Sequence, residues 1–190
     1  MLDIALKFLT GELNTYLHTR TGSNSTEIVN LSKVVDEAGK YAFAEETVAA
    51  TIINIEEERI LKSQLPEYTS IKGQHVVREP ELKLNLHVLF AANFRLYDQA
   101  LKFISYVLTY FQSHPSFSSN AYPALDPRIE KLTAELQSLS YEQLNQVWAF
   151  IGGKQLPSVI YKVRLVVLQD EAYRAIQPPL KAIDTNLHSQ

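Results

Sequence analysis

Between residues 82 and 90 the chain alternates: Leu82, Leu84, Leu86, Val88 and Phe90 are set off by Lys83, Asn85 and His87. Only an extended chain sends every second side chain to the same side, so this run is a strand with one face in a core. Its backbone groups need partners, which puts a sheet at the centre of the fold. Thr47–Arg59 predicts a second strand. Val48, Ala50, Ile52 and Asn54 alternate with Ala49, Thr51, Ile53 and Ile55, leaving both sides apolar until the acids begin, as in the middle of a covered sheet. Ser158–Leu168 carries Val159, Tyr161, Val163, Leu165 and Val167 on one side, and Leu132–Gln137 reads as a short strand, with a helix as the alternative.

Helical periods lie between these runs. Leu2, Leu6, Leu9, Leu13, Tyr16 and Leu17 form one stripe of a helix from near Asp3 to just before Gly22. Leu101, Ile104, Leu108 and Phe111 predict a second helix over Leu96–Gln112. Ser140-Tyr141-Glu142-Gln143 is a capping box, Leu144, Val147, Trp148 and Ile151 make the helix behind it amphipathic, and Gly152-Gly153 stops it. Thr21–Thr26, Gln64–Pro80 and Ser113–Pro127 read as loops. Asp36–Gly39 reads as a turn between Glu27–Val35 and Lys40–Ala44, and the tail from Gln169 has little pattern. The order predicts one α+β domain over residues 1–170, a mixed β-sheet flanked by helices. Residues 171–190 are a C-terminal tail with the character of an assembly arm.

Composition narrows the function. With 18 Lys+Arg against 21 Asp+Glu, the net charge of −3 gives no excess positive field for phosphates, which excludes a generic nucleic-acid binder. An apolar content of 46% in 190 residues excludes wholesale disorder. The absence of cysteine excludes disulfide scaffolds, cysteine nucleophiles and thiolate metal sites. Asp3 and Lys7 interrupt what would be the apolar stretch of a signal peptide. The longest weakly charged run, Leu84 to Phe94, is far short of the roughly 20 residues that span a bilayer. The reading is a chain made and folded in the cytoplasm, with no direct membrane binding.

Glu56-Glu57-Glu58-Arg59 is the sharpest local feature. On an extended strand Glu56 and Glu58 face the same way, roughly 7 Å apart, which invites comparison with glycosidase carboxylate pairs. A strand leaving the core with solvated or paired acids is the commoner cause of such a run. The five histidines show no metal-ligand spacing, so no metal is expected. Gly152-Gly153-Lys154-Gln155 is no phosphate loop, because Trp148 stands where the first glycine belongs and Gln155 replaces Ser/Thr. Asn24-Ser25-Thr26 and Asn30-Leu31-Ser32 match a glycosylation pattern that acts only in a secretory pathway. Phe103, Tyr106, Tyr110 and Phe111 read as core packing. No catalytic residue and no cofactor emerges, which shifts weight toward an interaction or assembly role.

Several segments together resemble a known family. They are the Leu2-to-Leu17 helix, Asn54-Ile55-Glu56-Glu57-Glu58-Arg59, Leu84–Phe90 with Ala91-Ala92-Asn93-Phe94, Ala100-Leu101-Lys102-Phe103, and Leu132 to Val167 with its Leu156-Pro157-Ser158-Val159-Ile160-Tyr161-Lys162-Val163-Arg164 stretch. Over roughly residues 1–170 the chain resembles the cap, or tail-terminator, family of extracellular contractile injection systems, phage-tail-like particles of the antifeeding-prophage and virulence-cassette type. The resemblance implies a phage tail-terminator-like fold and a structural subunit without catalysis or cofactor. It also implies a homo-hexameric ring that closes the distal end of the inner tube and anchors the last sheath layer. Its partners would be inner-tube and sheath proteins and a second cap protein, with no nucleic acid. An adaptor bridging cap and tube in the same apparatus is the alternative. Within a ring, Glu56, Glu57, Glu58 and Arg59 with Lys154, Lys162 and Arg164 are the candidate interface residues; an internal salt bridge is the competing reading.

Overall fold

A computed structural model describes residues 1–22, 27–58, 67–71, 74–78, 82–168 and 175–177. Along the chain come α1 (Leu2–Thr21), β1 (Val29–Leu31), β2 (Thr47–Glu57), β3 (Glu67–Ile71), β4 (Gln74–Arg78), β5 (Leu82–Asn93) and α2 (Tyr97–Ser113). These are followed by β6 (Ser116–Ser118), β7 (Lys131–Gln137), α3 (Tyr141–Ile151), β8 (Ser158–Leu168) and β9 (Ala175–Gln177). The main sheet has the order β1-β2-β5-β8-β7-β6, antiparallel except for the parallel β1–β2 pair. The strand announced by strict alternation, β5, lies inside it.

The two faces of β5 build two cores. Leu84, Leu86, Val88 and Phe90 pack with Val48, Ala50, Tyr161, Val163 and Leu165 against the α1 stripe and against Ile104, Val107 and Phe111 of α2. Leu89 and Ala91 face the other way, with Ala49 and Ile160 beneath Trp148 of α3, Val34 and Phe43. The chain is thus a layered α+β domain: two helices, a mixed sheet, one helix. Each fully buried Leu, Val or Phe contributes about 1.5–3 kcal/mol, so the larger α1–α2 core dominates stability.

Local signals hold where the chain supplies its own partners. Gly22 ends α1 in the left-handed conformation, φ 63°, its N–H donating to His18 O at 3.0 Å. Gln143 N donates to Ser140 Oγ at 3.2 Å and Ser140 N donates to Gln143 Oε1 at 3.0 Å, so the capping box is complete.

Five expectations change. The Gln64–Pro80 loop contains β3 and β4, paired antiparallel from Glu67↔Arg78 to Ile71↔Gln74. Three residues of the patternless tail, β9, add to β4 through His75↔Gln177 and Val77↔Ala175, forming a separate three-stranded sheet. Five-residue and three-residue strands are too short for alternation to register, and the partner that pairs with β9 lies about a hundred residues away in sequence. Likewise the Ser113–Pro127 loop contains β6, an edge strand that buries Phe117. The Glu27–Ala44 hairpin reduces to one bridge, Val35↔Tyr41, because β1 pairs instead with β2. Finally, the apolar stripe of α2 is rotated: Ala100, Ile104, Val107, Tyr110 and Phe111 are buried, whereas Leu101 is 45% exposed. Both stripes share Ile104 and Phe111, and docking against α1 and β5 decides which flank turns inward. Most of the Thr21–Thr26 loop and the tail on either side of β9 lie outside the described residues.

Candidate functional site: a mixed-charge sheet face beside an exposed helix

The acidic run owes its position to one irregularity. Ile52 stands opposite Val88 and Asn54 opposite His87, so Ile53 is an extra residue in β2. Before this bulge, even-numbered residues of β2 face the α1–α2 core; after it they face the α3 side. An inserted residue reverses the parity of everything that follows. Ile55 N donates to Asn54 Oδ1 at 2.9 Å, a side-chain partner just past the bulge.

Past the bulge two rows cross the sheet on the α3 side. One is Glu56–Asn85–Arg164–Thr133, the other Asn54–His87–Lys162–Glu135. Glu56 Oε2 lies 3.2 Å from His87 Nε2 without hydrogen-bond alignment, and Asn54 Nδ2 donates to Glu56 Oε1 at 3.2 Å. Asn85 Nδ2 donates to Glu58 Oε2 at 3.1 Å. Arg164 Nη2 donates to Glu135 Oε2 at 3.2 Å, passing its register neighbour Lys162 diagonally. Acidic Glu56 on β2 and Glu135 on β7 thus flank the basic Lys162 and Arg164 of β8, and the pairs are exposed enough that each contributes about 1 kcal/mol or less.

Of the sequence-selected residues, the structure brings Glu56, Glu58, Lys162 and Arg164 onto this face. The register turns Glu57 to the opposite face. Lys154 follows the end of α3 with an exposed side chain, and its carbonyl accepts from Tyr41 Oη at 3.2 Å. Arg59 lies outside the described residues. Of the two readings offered for the charges, Arg164 has its partner inside the chain, Glu135. Glu56 and Glu58 do face the same way, but each is bound by a different asparagine and neither lines the groove beside His87.

Helix α3 supplies what the sequence reading passed over. It covers only the apolar end of this face and leaves Tyr141 93% and Phe150 84% exposed, with Leu139 exposed nearby. Between α3 and the charged rows runs a groove of about 310 Å³ lined by Ile53, Asn54, His87, Leu139, Val147 and Phe150. On its other flank a groove of about 480 Å³ reaches Trp148, whose Nε1 is buried without a partner. The signal was available, because the capping box fixes the helix phase. Phe150 falls off the stripe of Leu144, Val147, Trp148 and Ile151, whereas Tyr141, seven residues before Trp148, falls on it and is exposed at the first position of the helix. Among the described residues no three His, Asp or Glu side chains converge as metal donors. Among them, too, no helix is long and apolar enough to cross a membrane.

No curated protein sequence matches the chain. Two solved structures share its fold. One is the sheath/tube terminator of an extracellular contractile injection system, PVC, in its extended state. It is 16% identical, with a TM-score of 0.58 over 94% of this chain and 62% of that one. The other is the tube terminating cap of the anti-feeding prophage, 13% identical, with a TM-score of 0.55 over 94% of this chain and 60% of that one. The chain therefore spans less than two thirds of the length of either. The sequence pattern of the Pvc16 N-terminal domain matches residues 6–182, from the α1 stripe through β9, and the chain belongs to that family.

Proposed function

We propose that the chain is a terminator subunit of a contractile injection particle, a protein that acts by shape and carries out no catalysis. The observation that carries this reading is the fold, shared over 94% of the chain with two proteins that terminate the tube, or the sheath and tube, of such particles. Copies form a six-fold ring at the distal end of the inner tube and anchor the last sheath layer. The subunit folds in the bacterial cytoplasm and joins the particle as it is completed.

A growing rod ends in unpaired surface that keeps recruiting subunits, and a terminator matches that surface without offering an equivalent one. Ring closure requires two different patches on each subunit. The face bearing Glu56, Glu58, Lys162 and Arg164, continued by Tyr141 and Phe150 of α3, is one of them, and Glu57, Arg59 and Lys154 contribute to ring contacts as well. Opposite charges there set register and exclude wrong partners, while the apolar rim supplies contact area.

Electron microscopy of particles assembled with and without this protein tests the reading. Loss of length control, or of intact particles, is expected without it. Length-controlled particles lacking the protein would overturn the assignment.

A further inference from the structure

On the far side of the sheet from α3, a groove of about 510 Å³ runs between α1 and the end of α2. It is lined by Glu12, Tyr16, Arg20, Tyr110, His114 and Tyr122. Two groups in it lack partners. Tyr110 is 3% exposed, yet its buried hydroxyl makes no hydrogen bond. Glu12, half-buried, makes no hydrogen bond or ion pair among the described residues. The hydroxyls of Thr15 and Thr19 are directed elsewhere, donating to the carbonyls of Gly11 and Thr15.

The walls are aromatic. Tyr16 and Tyr110 lie 5.2 Å apart between ring centroids, and His114 stacks on Tyr110 at 4.8 Å. Arg20 already stands over the outer ring, Tyr16, with its guanidinium 5.3 Å from the centroid. Burial, and then the charge of Glu12, raise Tyr110 and Tyr122 above the ordinary phenol range, so both stay neutral near pH 7. The lining therefore offers one carboxylate, uncharged phenol oxygens and π-faces, with one resident cation, Arg20, held over the outer ring and away from the buried Tyr110 hydroxyl.

We propose that this groove receives a cationic side chain, an alkylammonium or guanidinium group, from the next copy of the chain in its ring. Such a group donates at once to the Glu12 carboxylate and the Tyr110 hydroxyl oxygen while its charge meets the ring faces. An anion would oppose Glu12, and an apolar group would leave both polar atoms unmet. The source follows from placement and rests on the ring reading above. The groove and the face carrying Lys154 and Lys162 lie on opposite sides of the sheet, so they are two different patches, as head-to-tail packing requires. Neither lysine makes an ion pair among the described residues.

Two measurements separate the site from its occupant. In the first, the full chain is titrated with n-butylammonium and with methylguanidinium, and the tyrosine ring signals are followed by NMR. Saturable shifts are expected at Tyr16, Tyr110 and Tyr122, weakened at least tenfold in Glu12→Gln and in Tyr110→Phe with thermal unfolding unchanged in Glu12→Gln. Shifts that do not saturate, or that survive Glu12→Gln, overturn the site. In the second, a photo-crosslinking residue replaces Thr19 at the groove rim in assembled particles. A link to another copy of the chain is expected. A link to a tube or sheath protein, or absence of the chain from particles, overturns the neighbouring copy as source, whatever the titration shows.

Discussion

The side-chain amide of Asn14, on α1, pairs with the backbone of β1 in both directions: Asn14 Nδ2 donates to Val29 O at 2.9 Å, and Val29 N donates to Asn14 Oδ1 at 2.8 Å. Ile28 N donates to the same oxygen at 3.0 Å. One side chain thereby occupies backbone groups of an edge strand that would otherwise offer themselves to another chain. Asn14→Leu leaves them unmet in a partly buried setting and is expected to cost about 1–3 kcal/mol. Chemical denaturation measures the loss, and wild-type stability in this variant would show that water replaces the amide.

Ser140→Ala removes the acceptor for Gln143 N and breaks the reciprocal box at the start of α3. A loss of about 1 kcal/mol is expected. Amide exchange should quicken in α3 and remain unchanged in α1, because Trp148 packs in the smaller core alone.

Acid and alkali act at different places. Arg128 bonds Asp126 through its side chain and backbone, which holds the Asp126 carboxyl down at about 2. A depressed folded-state value contributes stability that is present above the ordinary value of 3.8 and is lost as the pH falls toward 2. Asp126→Asn should flatten that part of the stability–pH curve. At the other end, burial pushes Tyr161 up to about 12 from 10.0, so the folded state resists ionisation. Stability is full below pH 10 and falls between pH 10 and 12, and Tyr161→Phe should flatten that limb. Urea midpoints across both ranges check the two signs.

Phe150→Ser and Tyr141→Ser alter side chains that are almost wholly exposed. Their unfolding free energies should stay within about 0.5 kcal/mol of wild type, while incorporation into particles falls. Leu86→Ala, in the main core, should cost about 2–5 kcal/mol. Equal incorporation of the two surface variants and wild type, scored by sedimentation of assembled particles, would remove the α3 rim from the interface.

The elements legible in the sequence share one property: each buries a repeating set of apolar side chains on one face. That is true of α1, β5 and β8, and α3 carries its own start and stop signals in Ser140, Gln143 and Gly152. The elements missed, β3, β4, β6 and β9, are short: β3 and β4 pair with each other locally, while β9 and β6 depend on partners further off, Ala175 with Val77 and Phe117 with Leu132. Periodicity cannot report a hydrogen bond across a hundred residues. For the candidate site, the shared direction of Glu56 and Glu58 was legible from strand geometry; their asparagine partners were not, because Asn54 and Asn85 reach them only through the β2–β5 register.

By itself, the sequence determined that two strands with apolar alternation and three capped or striped segments must assemble as sheet and helices, since no other conformation hides those side chains. Only the tertiary structure decided which face the acids occupy. Ile53 is the extra residue because Ile52 packs into the core beneath α1 and α2 while Ile53 packs into the one beneath α3. Satisfying both cores at once slips the register by one, and that slip carries Glu56 and Glu58 to the side where Lys162, Arg164 and α3 meet them.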